Sequence, residues 1–110
     1  MNRGDVYFID FDPAVGEEIQ KTRPAVIVSN DSINAKLQRV QVIPLTSNIQ
    51  KIYSNEALVV VAGKQGKALA SQLTTVSKQR IGRKLGILNL SEMAAIDSAI
   101  RWQLDLYKLP

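Results

Sequence analysis

The sequence predicts a small, mainly β protein, a barrel of short strands with one C-terminal helix. Three observations carry that prediction. Short runs rich in β-branched and aromatic residues recur along the chain, with turn residues between them. The one long stretch with helical periodicity lies at the C-terminus, from about Glu92 to Tyr107. The 110 residues suffice for one core and are too few for two ordinary domains, so residues 1–110 are read as one domain.

The first strand is "DVYFIDFD", Asp5 to Asp12, and it ends at "DPAVG", where Asp-Pro and Gly mark a turn. The polar loop "GEEIQKT" leads to "PAVIVS", Pro24 to Ser29, whose unbroken apolar run suggests burial on both faces. A short helix follows in "NDSINAKLQ", with Asn30 or Asp31 as N-cap. "VQVIPLTS", Val40 to Ser47, is a third strand, and Pro44 implies an edge or a bulge near its end. After "NIQKIYSN", strands are expected at "EALVVVA", around "KALASQL" and, past the basic "SKQRIGRK", at "LGIL".

Ser91 is placed to cap the C-terminal helix, with Glu92 set favourably against its dipole. Met93, Ile96, Ile100, Leu104 and Tyr107 form one apolar stripe, and Ala95, Ala99, Trp102 and Leu106 a second beside it. The combined arc is wider than one core contact requires. It suits either a deeply seated core helix or a helix that also meets another chain.

Hydrophobic residues make up 45% of the chain and charged residues 22%, the balance of a soluble globular protein. The longest apolar runs, such as "ALVVVA", fall far short of the roughly 20 residues of a spanning helix, so no membrane role is expected. The charged N-terminus "MNRGDVYFIDFD" lacks a secretory leader, and a cytoplasmic protein is the expectation. Cysteine and histidine are both absent, which removes the usual zinc sites, thiol catalysis and any imidazole acid or base. No metal and no cofactor is expected. The net charge is +4, and between Glu56 and Glu92 every charge is positive: Lys64, Lys67, Lys78, Arg80, Arg83 and Lys84. That block suggests a polyanionic partner, against the plainer reading of a solvated basic face.

Arg23 stands directly before Pro24 at the entrance of the second strand. Proline fixes its own φ and drives the preceding residue into an extended conformation, so Arg23 is carried on a restrained backbone. An arginine at a strand end is ordinarily a surface charge. Its neighbours elsewhere in the chain give it more meaning.

"RGDVYFIDFDPAVGEE", "TRPAVIVSND", "VIPLTS" and "SQLTTVSKQRIGRKLGIL", in that order, resemble the MazF/PemK (Kid) family of toxin–antitoxin ribonucleases through most of the chain. The resemblance implies a small SH3-like barrel of the MazF, PemK and CcdB kind with a C-terminal helix, and a homodimer. It implies sequence-specific cleavage of single-stranded mRNA without a metal or the ribosome, and inhibition by a cognate MazE-like antitoxin through an acidic C-terminal segment. DNA would be met only indirectly, through the antitoxin. Arg23 aligns with the family's catalytic arginine and Thr46 with its catalytic threonine. Glu18 matches an acidic residue of the family's "G-x-E-Q" stretch and is the candidate to accept the 2′-OH proton. Lys21, Ser47, Gln72, Lys78 and Arg80 are the residues expected to bind RNA.

The chemistry is consistent with those residue types. Cleavage by the RNA's own 2′-OH needs that hydroxyl activated, the phosphate held in line and the added negative charge of the phosphorane stabilised. A guanidinium supplies a permanent cation and a planar fork that fits phosphate oxygens. It barely deprotonates, so stabilisation of the phosphorane is the role assigned to Arg23. A threonine hydroxyl donates a hydrogen bond and is a poor base. A lone loop glutamate such as Glu18, beside Glu17, is ordinarily a solvated charge.

Two departures from the family pattern bear on mechanism. Many members have "[DE]-Q-x-R-T" where this chain has Ser71-Gln72-Leu73-Thr74-Thr75, so both charges are missing, and with them the acidic base used in the Kid branch. The family's "E-Q" reads Glu18-Ile19 here. A non-catalytic CcdB-like gyrase poison is the first alternative, but that family presents a terminal tryptophan-bearing tail, whereas Trp102 falls inside the expected helix. An SH3-like interaction module is the second. Its aromatic surface is hard to build from a chain with 5% aromatic residues.

Overall fold

The computed structural model describes residues 1–106, so Tyr107, expected to end the first helical stripe, lies outside the described residues. The elements are β1 (Asp5–Asp10), β2 (Thr22–Ile27), α1 (Asp31–Asn34), β3 (Arg39–Thr46), β4 (Glu56–Val61), β5 (Lys64–Leu69), β6 (Thr74–Ser77), β7 (Ile81–Ile87) and α2 (Leu90–Leu104). Short 3-10 turns cover Ala70–Gln72 and Lys78–Arg80. All pairings are antiparallel, in the order β4-β5-β3-β2-β1-β7, and β6 lies against the first half of β3. The sheet curls until its outer strands approach each other, a Cβ on Gly86 of β7 falling 3.7 Å from Val61 Cγ1 of β4. The strand spacing predicts a small barrel and the helical periodicity a C-terminal helix; the structure is a mainly β, curled antiparallel half-barrel with that helix. No helix among the described residues is long and apolar enough to cross a membrane.

Pro44 is on neither an edge nor an isolated bulge, because β3 is paired along both sides. Residues Arg39 to Val42 pair with β6, whereas Leu45 and Thr46 pair with β5. Pro44 stands where one partner gives way to the other, a place where a missing N–H costs the ladder little. The strand expected around "KALASQL" is divided. β5 ends at Leu69, a 3-10 turn intervenes, and β6 starts at Thr74. Only Val76 of β6 is buried, too brief an alternation to register in the sequence. β7 begins at Ile81, inside the segment read as a basic connection, because its exposed Arg83 and Lys84 belong to an edge strand that charge protects from further pairing.

Asn30 caps α1, accepting from the Ser32 N–H, as expected. The C-terminal helix starts one residue before Ser91, and its cap is Asn89. The Asn89 side chain accepts from the Glu92 N–H at 2.8 Å and the Glu92 carboxylate accepts from the Asn89 N–H at 3.0 Å, a reciprocal capping box.

The sheet carries two cores. On one face Val6, Val26, Ile43, Leu45, Val59 and Ala68 pack under Met93, Ile96 and Ala99 of α2. On the other, Ile9, Ala25, Ile27, Val40 and Val42 pack with Phe11 and Val76. Alternation makes this possible: β2 and β3 are buried on both sides, as the unbroken apolar run of "PAVIV" requires. The broad apolar arc of α2 is split by the fold. Met93, Ile96 and Ala99 are spent inside this chain, so Ala99 has no surface left for a partner, while Ala95, Trp102, Leu104 and Leu106 are exposed, Trp102 to 64%.

Candidate active site

Arg23 and Thr46 stand across from each other on neighbouring strands. Ala25 pairs with Pro44 and Val26 with Ile43, and the same register carried two residues further sets Arg23 at the level of Thr46. Alternation fixes which way they face. Arg23 shares its side of β2 with Ala25 and Ile27, and Thr46 shares its side of β3 with Val40 and Val42. Since Ile43 and Leu45 both serve the opposite core, the alternation passes unbroken through Pro44. Thr46 pairs in turn with Lys67 of β5, and Lys67 with Leu58 of β4. Directly opposed residues share a face, so Arg23, Thr46, Lys67 and Leu58 form one row across four strands, on the side turned away from α2.

Each member of the row is held locally. The Arg23 Nε–H donates to the Gln20 carbonyl at 2.9 Å, which fixes the plane of the guanidinium and leaves its terminal nitrogens available. Among the described residues it forms no ion pair. The Thr46 hydroxyl oxygen accepts from the Asn48 N–H at 3.3 Å, leaving its own proton to donate. Thr46 and the exposed Ser47 also line a depression of about 150 Å³ with Pro24, Lys64 and Gln65.

Lys67 is 7% exposed, and the sequence marked it only as one of six basic residues and not as a site residue. Its ammonium donates to Glu56 at 2.9 Å and to the Lys51 carbonyl at 2.8 Å, tying down the loop that follows Thr46. Burial by itself would raise the Glu56 carboxyl, but the Tyr53 N–H and the hydrogen bond and charge of Lys67 outweigh it and hold the group below the ordinary carboxylate range. The one legible trace of its place in the row was its position in a strand between Gly66 and Ala68, where alternation sends it to the face opposite the α2 core.

The loop between β1 and β2 holds the other expected residues. A cleft of about 510 Å³ is lined by Glu17, Glu18, Gln72, Thr74 and Arg80 among others, and by neither Arg23 nor Thr46. The Glu18 carboxylate accepts from the Val15 N–H at 2.7 Å and closes its own loop. Gln72 reaches that loop from the far side, its amide oxygen accepting from the Ile19 N–H at 3.3 Å. Lys21 adopts φ +65°, with its N–H on the Asp12 carboxylate at 2.7 Å and its carbonyl accepting from Phe11. Glu18 and Gln72 therefore line a cleft of their own and do not join the row of Arg23.

The basic block does not become one patch. Lys78 donates to the Asn34 carbonyl at 2.6 Å, beside the Arg39 end of β3 and so at the opposite end of that strand from Thr46. Arg80 donates to the carbonyls of Asp10 and Asp12, bracing the β1–β2 loop. Lys84 pairs with Asp5 at 3.3 Å, and Arg83 lies over the Phe8 ring. Only Lys67 joins the row, with Lys64 beside Ser47. Tertiary structure distributes residues that the sequence lists side by side.

Comparison with known proteins follows the same lines. A family model described as PemK-like, MazF-like toxin of type II toxin–antitoxin system matches residues 2–104. The chain is 39% identical to Endoribonuclease MazF9 of Mycobacterium tuberculosis, over 97% of this chain and 98% of that protein. It is 32% identical to Endoribonuclease EndoA of Bacillus subtilis, over 96% of each. Among solved structures, MazF of Deinococcus radiodurans superposes with a TM-score of 0.85 at 22% identity, covering 96% of this chain and 97% of that one. An endoribonuclease from a mycobacterial species, solved in complex with its cognate antitoxin, gives 0.83 at 24% identity over 99% of each.

Proposed function

The chain belongs to the PemK-like, MazF-like toxin family of type II toxin–antitoxin systems, and on that premise we propose that it is a sequence-specific endoribonuclease of single-stranded mRNA. It acts without metal and without the ribosome, by attack of the RNA's own 2′-OH. The observation that carries this reading is the β2–β3 register, which carried two residues past its last pair sets Arg23 level with Thr46 on one sheet face. A phosphate laid across β2 and β3 there meets the guanidinium fork on one side and the threonine hydroxyl on the other. As the 2′-oxygen attacks, the extra charge on the equatorial oxygens is met by donors already in place, and the 5′-oxygen leaves as 5′-OH, taking a proton from solvent, with a 2′,3′-cyclic phosphate behind it. Glu18 is the carboxylate nearest in sequence to Arg23 that can take the 2′-OH proton, once substrate draws it from the Val15 N–H.

The protein works in the cytoplasm as a homodimer of one toxin domain per chain. The exposed Trp102 and Leu104 on α2, with Leu106 just past its end, supply apolar surface for a two-fold contact. Its inhibitor is a cognate MazE-like antitoxin whose acidic C-terminal segment lies on the Arg23–Thr46 face, and DNA is reached only through that antitoxin. The relatives named endoribonuclease support this reading over a gyrase poison or a passive interaction module.

The test is incubation of the purified protein with a long RNA in EDTA, with mapping of cut sites and end groups. Cuts at a recurring short sequence, ending in 2′,3′-cyclic phosphate and 5′-OH, are expected. A substrate with 2′-H at the cut site should resist, and its cleavage would show that water is the nucleophile.

A further inference from the structure

Tyr53 belongs to neither core and is 53% exposed, yet its backbone is pinned at both ends. Its N–H donates to the Glu56 carboxylate at 2.9 Å, and its carbonyl accepts from the Glu56 N–H at 3.0 Å. Glu56 is held by Lys67, which is buried and pairs directly with Thr46. The ring stands with the Lys67 ammonium 5.7 Å from its centroid and the exposed Lys51 ammonium at 4.9 Å. A large aromatic surface is thus left open to solvent, on a turn held by hydrogen bonds, in cationic surroundings, against Lys67 of the row that begins with Arg23. Its hydroxyl makes no hydrogen bond among the described residues, so the turn holds the ring without using its polar end.

We propose that the Tyr53 ring is a stacking platform for a nucleobase next to the scissile bond, with Lys51 neutralising the phosphate of that nucleotide. The inference deepens the reading of the chain as a ribonuclease and rests on it. Single-stranded nucleic acid is held by aromatic faces that stack bases and by cations that follow the backbone, and stacking tolerates any base because every base has a π-face. Tyr53 and Lys51 supply one of each, with Lys67 standing between the ring and the threonine that would meet the phosphate. Tyrosine gives this surface at low conformational cost, since only two torsions are frozen and the turn has already fixed the backbone. Lys67 and Glu56 act as positioning residues: their buried pair sets both the loop after Thr46 and the turn that carries the ring.

The experiment uses an oligonucleotide built around the mapped cut site, and the full chain with Tyr53→Ala or Tyr53→Phe. Tyr53→Ala should raise KM by about 10-fold or more, with kcat within about twofold and the melting temperature unchanged, while Tyr53→Phe behaves as the parent. In a 2′-deoxy, uncleavable version scanned with single abasic positions, one position beside the cut should weaken binding to the parent by the same factor and have no further effect on Tyr53→Ala. Equal KM for Tyr53→Ala and parent overturns the inference. So does a loss in Tyr53→Phe as large as in Tyr53→Ala, or an abasic effect that persists undiminished at every position in the variant. A defect confined to inhibition by the antitoxin would assign the ring to protein recognition instead. A parent that cuts no RNA sinks the function reading and this inference together, whereas a parent that cuts but ignores Tyr53 sinks the inference alone.

Discussion

Gly66 and Thr46 approach so closely that a Cβ on the glycine would lie 2.9 Å from the threonine carbonyl oxygen. The obstacle is backbone, which cannot swing aside as a side chain would. Gly66→Ala should therefore push the end of β3 and displace the Thr46 hydroxyl from its place opposite Arg23. A loss of about 1–3 kcal/mol in denaturant unfolding is expected from the overpacking, together with a fall in kcat. Unchanged stability and rate would show that β3 and β5 separate there at no cost.

Arg23→Lys and Thr46→Ala should each cut the rate of EDTA-resistant cleavage roughly 100-fold or more, the usual consequence of removing one donor to a developing oxyanion. Lysine keeps the charge but loses the fork. The fold should survive both changes, because neither side chain lies in a core and the one side-chain hydrogen bond of Arg23 among the described residues is to a loop carbonyl. Circular dichroism beside the rate assay separates loss of chemistry from loss of structure.

Glu18→Gln tests the proton acceptor with little disturbance to the loop. The glutamine oxygen can still accept from the Val15 N–H, as the carboxylate does at 2.7 Å, while a neutral amide cannot take a proton. A drop of about 100-fold or more in kcat is the expected range for a lost general base. An unaltered rate would move that role to another group or to solvent.

The Glu56–Lys67 pair predicts a pH dependence of stability. Glu56 titrates below its ordinary value of 4.5 when folded. A group with a depressed folded pKa contributes stability that is fully present above its unfolded pKa and lost as pH falls through the folded one. The gap between parent and Glu56→Gln in denaturant unfolding should be about 1.5–3 kcal/mol at pH 7, the range for hydrogen bonds to a charged group, and should close progressively below pH 4.5. A gap independent of pH would show that packing alone, and no charge, is lost in the variant.

Much of the architecture was present in one dimension. Alternation and turn residues were enough for β1 to β4, the unbroken apolar run of "PAVIV" foretold burial on both faces, and helical periodicity placed α2. These are local signals, since a strand's period of two and a helix's of 3.6 are written in neighbouring residues. β6 and the start of β7 were hidden because each is an edge or partial strand with few inward residues, so local sequence reports solvent and not pairing. Arg23 and Thr46 were nameable from their motifs, but 23 residues of numbering separate them, and only the β2–β3 register sets them face to face. The same holds for the cations. The sequence groups Lys64 to Lys84 as one block, whereas strand direction sends Lys78 to the far end of β3, gives Arg80 to the loop carbonyls and sets Lys67 in register with Thr46. Composition decided that the chain carries excess positive charge. Pairing register, a contact between residues distant in the chain, decided which of those charges faces the site.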